Sequence, residues 1–275
     1  MIGFLLVCLA FPAFPVFPSQ AGKVEKNEFP DKRAELARLL DDFRERVDKR
    51  GQEDARAIAA IPHLVEEFAK SGPKDRAAIT SALDKALLAP RTPLKKDESP
   101  KKEEFDDKLA LAAAAPLGQM GPESVKLLIE AFDDKSIRHD LPLLRAILLA
   151  LGHTRDKDAI KPLIAALEHP EISLVASAGE ALGEFVAAKL EQRKEIVGAI
   201  VKKLMSVKNG MDDASNSATQ AGGGADNTYA KRYDAISAPF TTSLKRLAKH
   251  EENDPNAWER WWNKNKNADW DAKNP

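Results

Sequence analysis

Glu123-Ser-Val-Lys-Leu-Leu-Ile-Glu-Ala-Phe132 lies over Asp158-Ala-Ile-Lys-Pro-Leu-Ile-Ala-Ala-Leu167 without a gap, 35 residues further along the chain. Val125, Leu128, Ile129 and Phe132, and their counterparts Ile160, Leu163, Ile164 and Leu167, recur at the spacing of one face of an α-helix. Each copy is followed by a second apolar segment, closing on Leu151-Gly152 or Leu182-Gly183. Two amphipathic segments in a period in the thirties mark stacked helical hairpins, because one hairpin cannot bury its apolar face without a neighbour. The expected fold is all-α, an α-α superhelix. Such a stack builds surface and carries no chemistry of its own.

The same stripe occurs at Ile61, Leu64, Val65 and Phe68, and again at Val197, Ile200, Val201 and Leu204, so the spacing predicts the same helix four times. Ser71-Gly-Pro73 turns the first of these into a partner helix over about 74–88. A helix over 105–117 carries Leu109, Ala110, Ala113, Ala114 and Leu117. These match Leu143, Leu144, Ile147, Leu148 and Leu151 at an offset of 34, then Leu174, Val175, Ala178, Gly179 and Leu182 after a further 31. It therefore reads as the inner member of a pair whose first member lies upstream. The small residues let helices approach toward the short end of the ~8–10 Å range. The repeated Leu-Gly endings predict left-handed helix caps.

Outside the repeats, Leu36, Leu40, Phe43 and Val47 give one amphipathic helix within 31–50, closed by Gly51. Ile236, Phe240, Leu244 and Leu247 form a closing helix, kinked or restarted at Pro239. Asp254-Pro255 supplies an N-cap and a first-turn proline for a short helix bearing tryptophans. Residues 91–104 and 209–228 have no burial period and are predicted to be mobile loops. The chain thus divides into 22–53 (lead-in and helix), 54–249 (repeats) and 250–275 (a Trp-rich cap).

Residues 1–21 read as a signal peptide: an apolar run, Pro12, Pro15 and Pro18, then Ser19 and Ala21 at the small positions before a cut. A retained anchor is the rival, although three prolines would interrupt a spanning helix. The expected location is periplasmic or secreted, with no membrane span once the signal is removed. Cys8 is the only cysteine, so the mature chain would hold no disulfide and no thiolate ligand. With 42 basic against 43 acidic residues, no strong field draws the chain to nucleic acid.

The phrase Asp158-Ala-Ile-Lys-Pro-Leu-Ile-Ala-Ala-Leu167, followed by Val175-Ala-Ser-Ala-Gly-Glu-Ala-Leu-Gly183, resembles HEAT-like repeats of the phycobilisome-lyase type. The resemblance spans about 54–249 and is clearest in 122–206. Asp254-Pro-Asn-Ala-Trp-Glu-Arg-Trp-Trp-Asn-Lys-Asn265 is similar to the ending of exported bacterial HEAT-repeat proteins of unassigned role. The resemblance implies an armadillo/HEAT-like superhelix that binds another protein. Deoxyhypusine hydroxylase shares the repeats, but its irons sit on His-Glu pairs, and here His250-Glu251 is the only such pair. A tetrapyrrole lyase or isomerase rests on fold analogy alone, and the export signal opposes it.

No residue pattern points to catalysis, a metal or a cofactor. HExxH, GxSxG and phosphate-loop motifs are missing, and Gly222-Gly-Gly224 lacks the Lys-Ser/Thr that would follow in a phosphate loop. Asp212, Asp213 and Asp226 do not reach the alternating oxygens of a calcium loop. The five histidines have no ligand spacing. Lys95, Lys96, Lys101 and Lys102 are answered by Asp97, Glu98, Glu103 and Glu104. The remaining candidate is aromatic: Trp258, Trp261, Trp262 and Trp270 are the chain's four tryptophans. They read either as a lid over the last hairpin or as a platform for a glycan or peptide. The expected protein is a monomeric, non-catalytic, protein-binding scaffold; the alternative is a glycan- or envelope-binding module.

Overall fold

A computed structural model describes residues 29–89, 107–221 and 228–272, and all of the regular structure in them is helical. Eleven α-helices follow one another: α1 (Ala34–Asp48), α2 (Asp54–Ala69), α3 (Pro73–Leu87), α4 (Lys108–Gln119), α5 (Pro122–Phe132), α6 (Leu141–Thr154), α7 (Ile160–Ala166), α8 (Ile172–Leu182), α9 (Leu190–Ala221), α10 (Thr228–Ala248) and α11 (Pro255–Asn265). The stripe residues face inward as expected. Leu36, Phe43, Ile61, Leu64, Leu128, Leu163, Ile200 and Leu204 are all buried, in a core that runs the length of the described helices.

Helix partners define two rows. Helices α2, α4, α6, α8 and α10 pack successively, each on the next, and form what is called below the inner row. Helices α1, α3 and α5 continue one another in a second row, which α7 and α9 extend after the short 3₁₀ turn Lys157–Ala159. Each even helix also packs on the odd helix before it, which makes five pairs.

This pairing corrects the expected register. The stripe at Ile61, Leu64, Val65 and Phe68 makes α2 resemble α5, α7 and α9, yet α2 lies against α4, while α3 joins the row of α5. Helix α1, which follows the lead-in, packs on both α2 and α3. The reading of α4 as an inner helix with an upstream partner holds, and that partner is α3. An amphipathic stripe states that one face must be buried; it does not say against which neighbour.

The Leu-Gly endings also need a new reason. Gly118 and Gly152 lie inside α4 and α6, and Gly183 caps α8 with φ −64°, so none is left-handed. They are contact points. A Cβ on Gly118 would lie 2.8 Å from the Cα of Ala150, and one on Gly152 would lie 2.7 Å from the Cα of Ala181. A Cβ on Gly183 would press on the side chain of Ser243 in α10. The inner row is spaced by these contacts. The left-handed cap of α6 is Arg155, φ 52° and ψ 20°, and Gly121, φ 67°, opens α5 from an extended positive-φ conformation.

Two further expectations change. Residues 209–221 are not loop, because α9 is helical to Ala221; its Gly210 lies beneath the ring of Tyr229. Helix α10 begins at Thr228 and runs through Pro239 without restarting. The predicted loop 91–104 and the leader 1–21 lie outside the described residues.

The N-terminal pair is closed by a polar network. Asp31 accepts the Lys74 and Asp75 amides at 3.0 and 3.1 Å, capping α3 from 43 residues away. Arg33 donates to Glu67 at 2.5 Å and to buried Ser71 at 2.6 Å, tying α1 to the end of α2. The Asp31 bonds satisfy amide donors that the start of α3 leaves open.

Candidate functional site

The aromatic cluster begins with its cap. Asp254 accepts the amides of Asn256 and Ala257, both at 3.2 Å, and Pro255 occupies the first turn, so α11 starts as the sequence indicates. The helix then lays its aromatic face on α9. Trp258 is 0% exposed, and its Nε1–H donates to the Glu252 carbonyl at 3.2 Å. Trp262 covers Gly198 of α9, where a Cβ would lie 2.8 Å from the indole.

All four tryptophans come together, with one unforeseen partner. Trp261 meets Trp258 edge-on at 5.6 Å and Trp270 at 5.2 Å, and Trp270 meets Trp262 at 6.1 Å. His250 stacks on Trp261 at 5.0 Å and stands edge-on to Trp258 at 5.3 Å. The fully buried position belongs to Trp258; Trp261, Trp262 and Trp270 are half-buried. Sequence spacing puts the three helical tryptophans on one sector without ranking their depth.

Arg193 was not foreseen at all. It is only 2% exposed, in the first turn of α9 beneath the cluster. Its guanidinium donates to the Leu247 carbonyl at the end of α10 at 3.1 Å and to the Asp271 carboxylate. Lys249 reaches the other Asp271 oxygen at 3.1 Å. Hydrogen bonds from Arg193, then Lys249, hold the Asp271 carboxyl below its usual range. The signal was present in the sequence: Arg193 falls four residues before Val197, on the buried stripe itself.

A second surface is the solvent-facing side of the inner row. The offsets of 34 and 31 residues that align α4, α6 and α8 also align their outward positions. Leu111, Arg145 and Ala176 form one such ladder, and Ala115, Leu149 and Glu180 the next. Leu111 is 37% exposed, a large apolar side chain left in water. At the C-terminal ends of α6, α8 and α10, Glu184 accepts Arg155 at 2.9 Å and Arg246 at 2.8 Å, joining three consecutive helix ends. Burial raises its pKa, but the two arginine hydrogen bonds outweigh that effect and leave it lowered.

The outer side holds a shallow cleft of about 270 Å³ lined by Val47, Asp48, Arg50, Asp84, Lys85, Leu88 and Ala89. Burial, with the negative charges of Glu130 and Asp134, pushes Asp84 up from 3.8 to about 6. The proton therefore binds the folded chain more tightly than the unfolded one. The associated stability is complete below pH 4 and is lost as pH rises through 6. Asp84→Asn, which stays neutral, should stabilise by ~1–2 kcal/mol at pH 7.5 after solvent screening and change little at pH 4. Urea titrations at the two pH values test this; an equal effect at both would refute it.

Among the described residues, no three His, Cys, Asp or Glu side chains are grouped so as to hold a metal ion. Likewise, no described helix is long and apolar enough to cross a membrane. No family model, curated protein or solved structure matches this chain.

Proposed function

We propose that this chain is a non-catalytic protein-binding scaffold, a HEAT-like α-α superhelix whose inner helix row presents the binding face. The observation that carries the reading is the inner row itself. Gly118, Gly152 and Gly183 press its helices together, while the outward ladders carry unlike side chains at equivalent heights. A rigid row bearing varied side chains suits recognition of an extended partner surface.

Photo-crosslinking tests it. A photoreactive residue at Leu111, Arg145 or Ala176 should give one shared adduct in the native envelope fraction, whereas Lys126 on α5 should give none. Adducts only at Lys126, or none at the inner positions, would refute the binding face.

Export is part of the proposal: residues 1–21 act as a signal, giving a mature N-terminus at Gly22. The intact mass of the extracytoplasmic protein checks this, and a retained leader would favour an anchor. For the cluster, the lid is better supported than the glycan platform. Platform rings need open faces, and here Trp261 is stacked by His250 and flanked by Trp258 and Trp270.

A further inference from the structure

Beyond α11 the chain forms a short strap, residues 266–272, whose backbone bonds are local. The Ala268 amide donates to the Asn265 carbonyl at 2.9 Å, and the Asp271 amide to the Asp269 carboxylate at 2.9 Å. All strap residues are exposed except Trp270, which is half-buried. Two side chains anchor it. Trp270 sets its ring against Trp261 and Trp262, and Asp271 gives one carboxylate oxygen to Arg193 and the other to Lys249.

The receptor for these two side chains comes mostly from elsewhere. Arg193 belongs to α9, Lys249 follows α10, and the aromatic walls are on α11. Arg193 is buried, and its Nε has no hydrogen-bond partner. A desolvated guanidinium requires a counter-anion, and its planar fork fits a carboxylate. Trp258 closes the lid independently of the strap, since its own hydrogen bond goes to Glu252.

We propose that Arg193, Lys249, Trp261 and Trp262 form a recognition socket for a protein segment carrying an aromatic residue followed by a carboxylate, and that Trp270-Asp271 occupies it in cis as a displaceable pseudo-ligand. The proposal rests on the protein-binding reading and adds a second surface to it, at the C-terminal end of the helix rows where α11 lies on α9. Tethering gives the strap an effective concentration in the ~mM range, so an outside segment enters only when it binds more tightly or the strap is weakened.

The test uses a fluorescent peptide of residues 266–272 and a chain ending at Ala268. Anisotropy should show saturable binding to the shortened chain. Binding should be at least tenfold weaker for peptides carrying Asp271→Asn or Trp270→Ala, and undetectable on the full chain at the same concentration. The full chain with Asp271→Asn, which loosens the strap while keeping every other contact, should regain binding of the native peptide. A shortened chain that stays folded without binding, or that binds native and Asp271→Asn peptides alike, would overturn the socket. A shortened chain that fails to fold would make the strap structural and overturn it as well. Crosslinking at Leu111, Arg145 and Ala176 should be unaffected by loss of the strap, so failure of the socket and failure of the inner face are read separately.

Discussion

Trp258→Ala should destabilise the protein by about 3–5 kcal/mol, the cost of losing a large aromatic side chain from a packed site. Trp258 has no exposed surface, and its indole nitrogen is satisfied by the Glu252 carbonyl. Its ring contacts His250 and Trp261, so truncation would leave both facing a void. For a domain of this size the loss corresponds to a midpoint drop of roughly 6–20 °C. The damage should start at the C-terminal end, because each pair in such a stack is held only by its neighbours. Amide exchange in α9, α10 and α11 should therefore accelerate before exchange in α4. Trp262→Ala, at a half-buried site, should cost visibly less. A melting curve unchanged by Trp258→Ala would remove the lid.

Gly152→Val should be of comparable size, for the opposite reason. A Cβ at this position would stand 2.7 Å from both the Cα and the carbonyl oxygen of Ala181. The obstacle is backbone, so no rotamer change relieves it and α6 must separate from α8. Ordinary overpacking by a methylene costs ~1–3 kcal/mol. A β-branched side chain driven into a neighbouring helix backbone should exceed ~3 kcal/mol by the same reasoning. Ala115→Val provides the control: it is exposed on α4 and should cost under ~1 kcal/mol. Chemical denaturation of the two variants makes the comparison. Equal small losses would mean that the inner row is not spaced by its glycines.

The stripe Val125, Leu128, Ile129 and Phe132 and its copies determine, without any structure, that these segments are helices with one buried face. The period depends only on the geometry of a single helix. The start of α11 is equally local, since Asp254 and Pro255 act on the turn that follows them. The Trp cluster could be foreseen as a cluster for the same reason. Which row α2 and α3 join, why Gly118, Gly152 and Gly183 stand where they do, and how deep each tryptophan sits could not be read this way. Each depends on residues far along the chain: Gly152 answers to Ala181, Gly183 to Ser243, and Trp262 to Gly198. Arg193 shows the boundary most sharply. Its place on the buried stripe was visible in the sequence, but the carboxylate that meets it, Asp271, lies 78 residues later and reaches it only in the folded chain. A helical face is a property of neighbours three and four positions apart. Its partner is chosen only when the chain closes on itself.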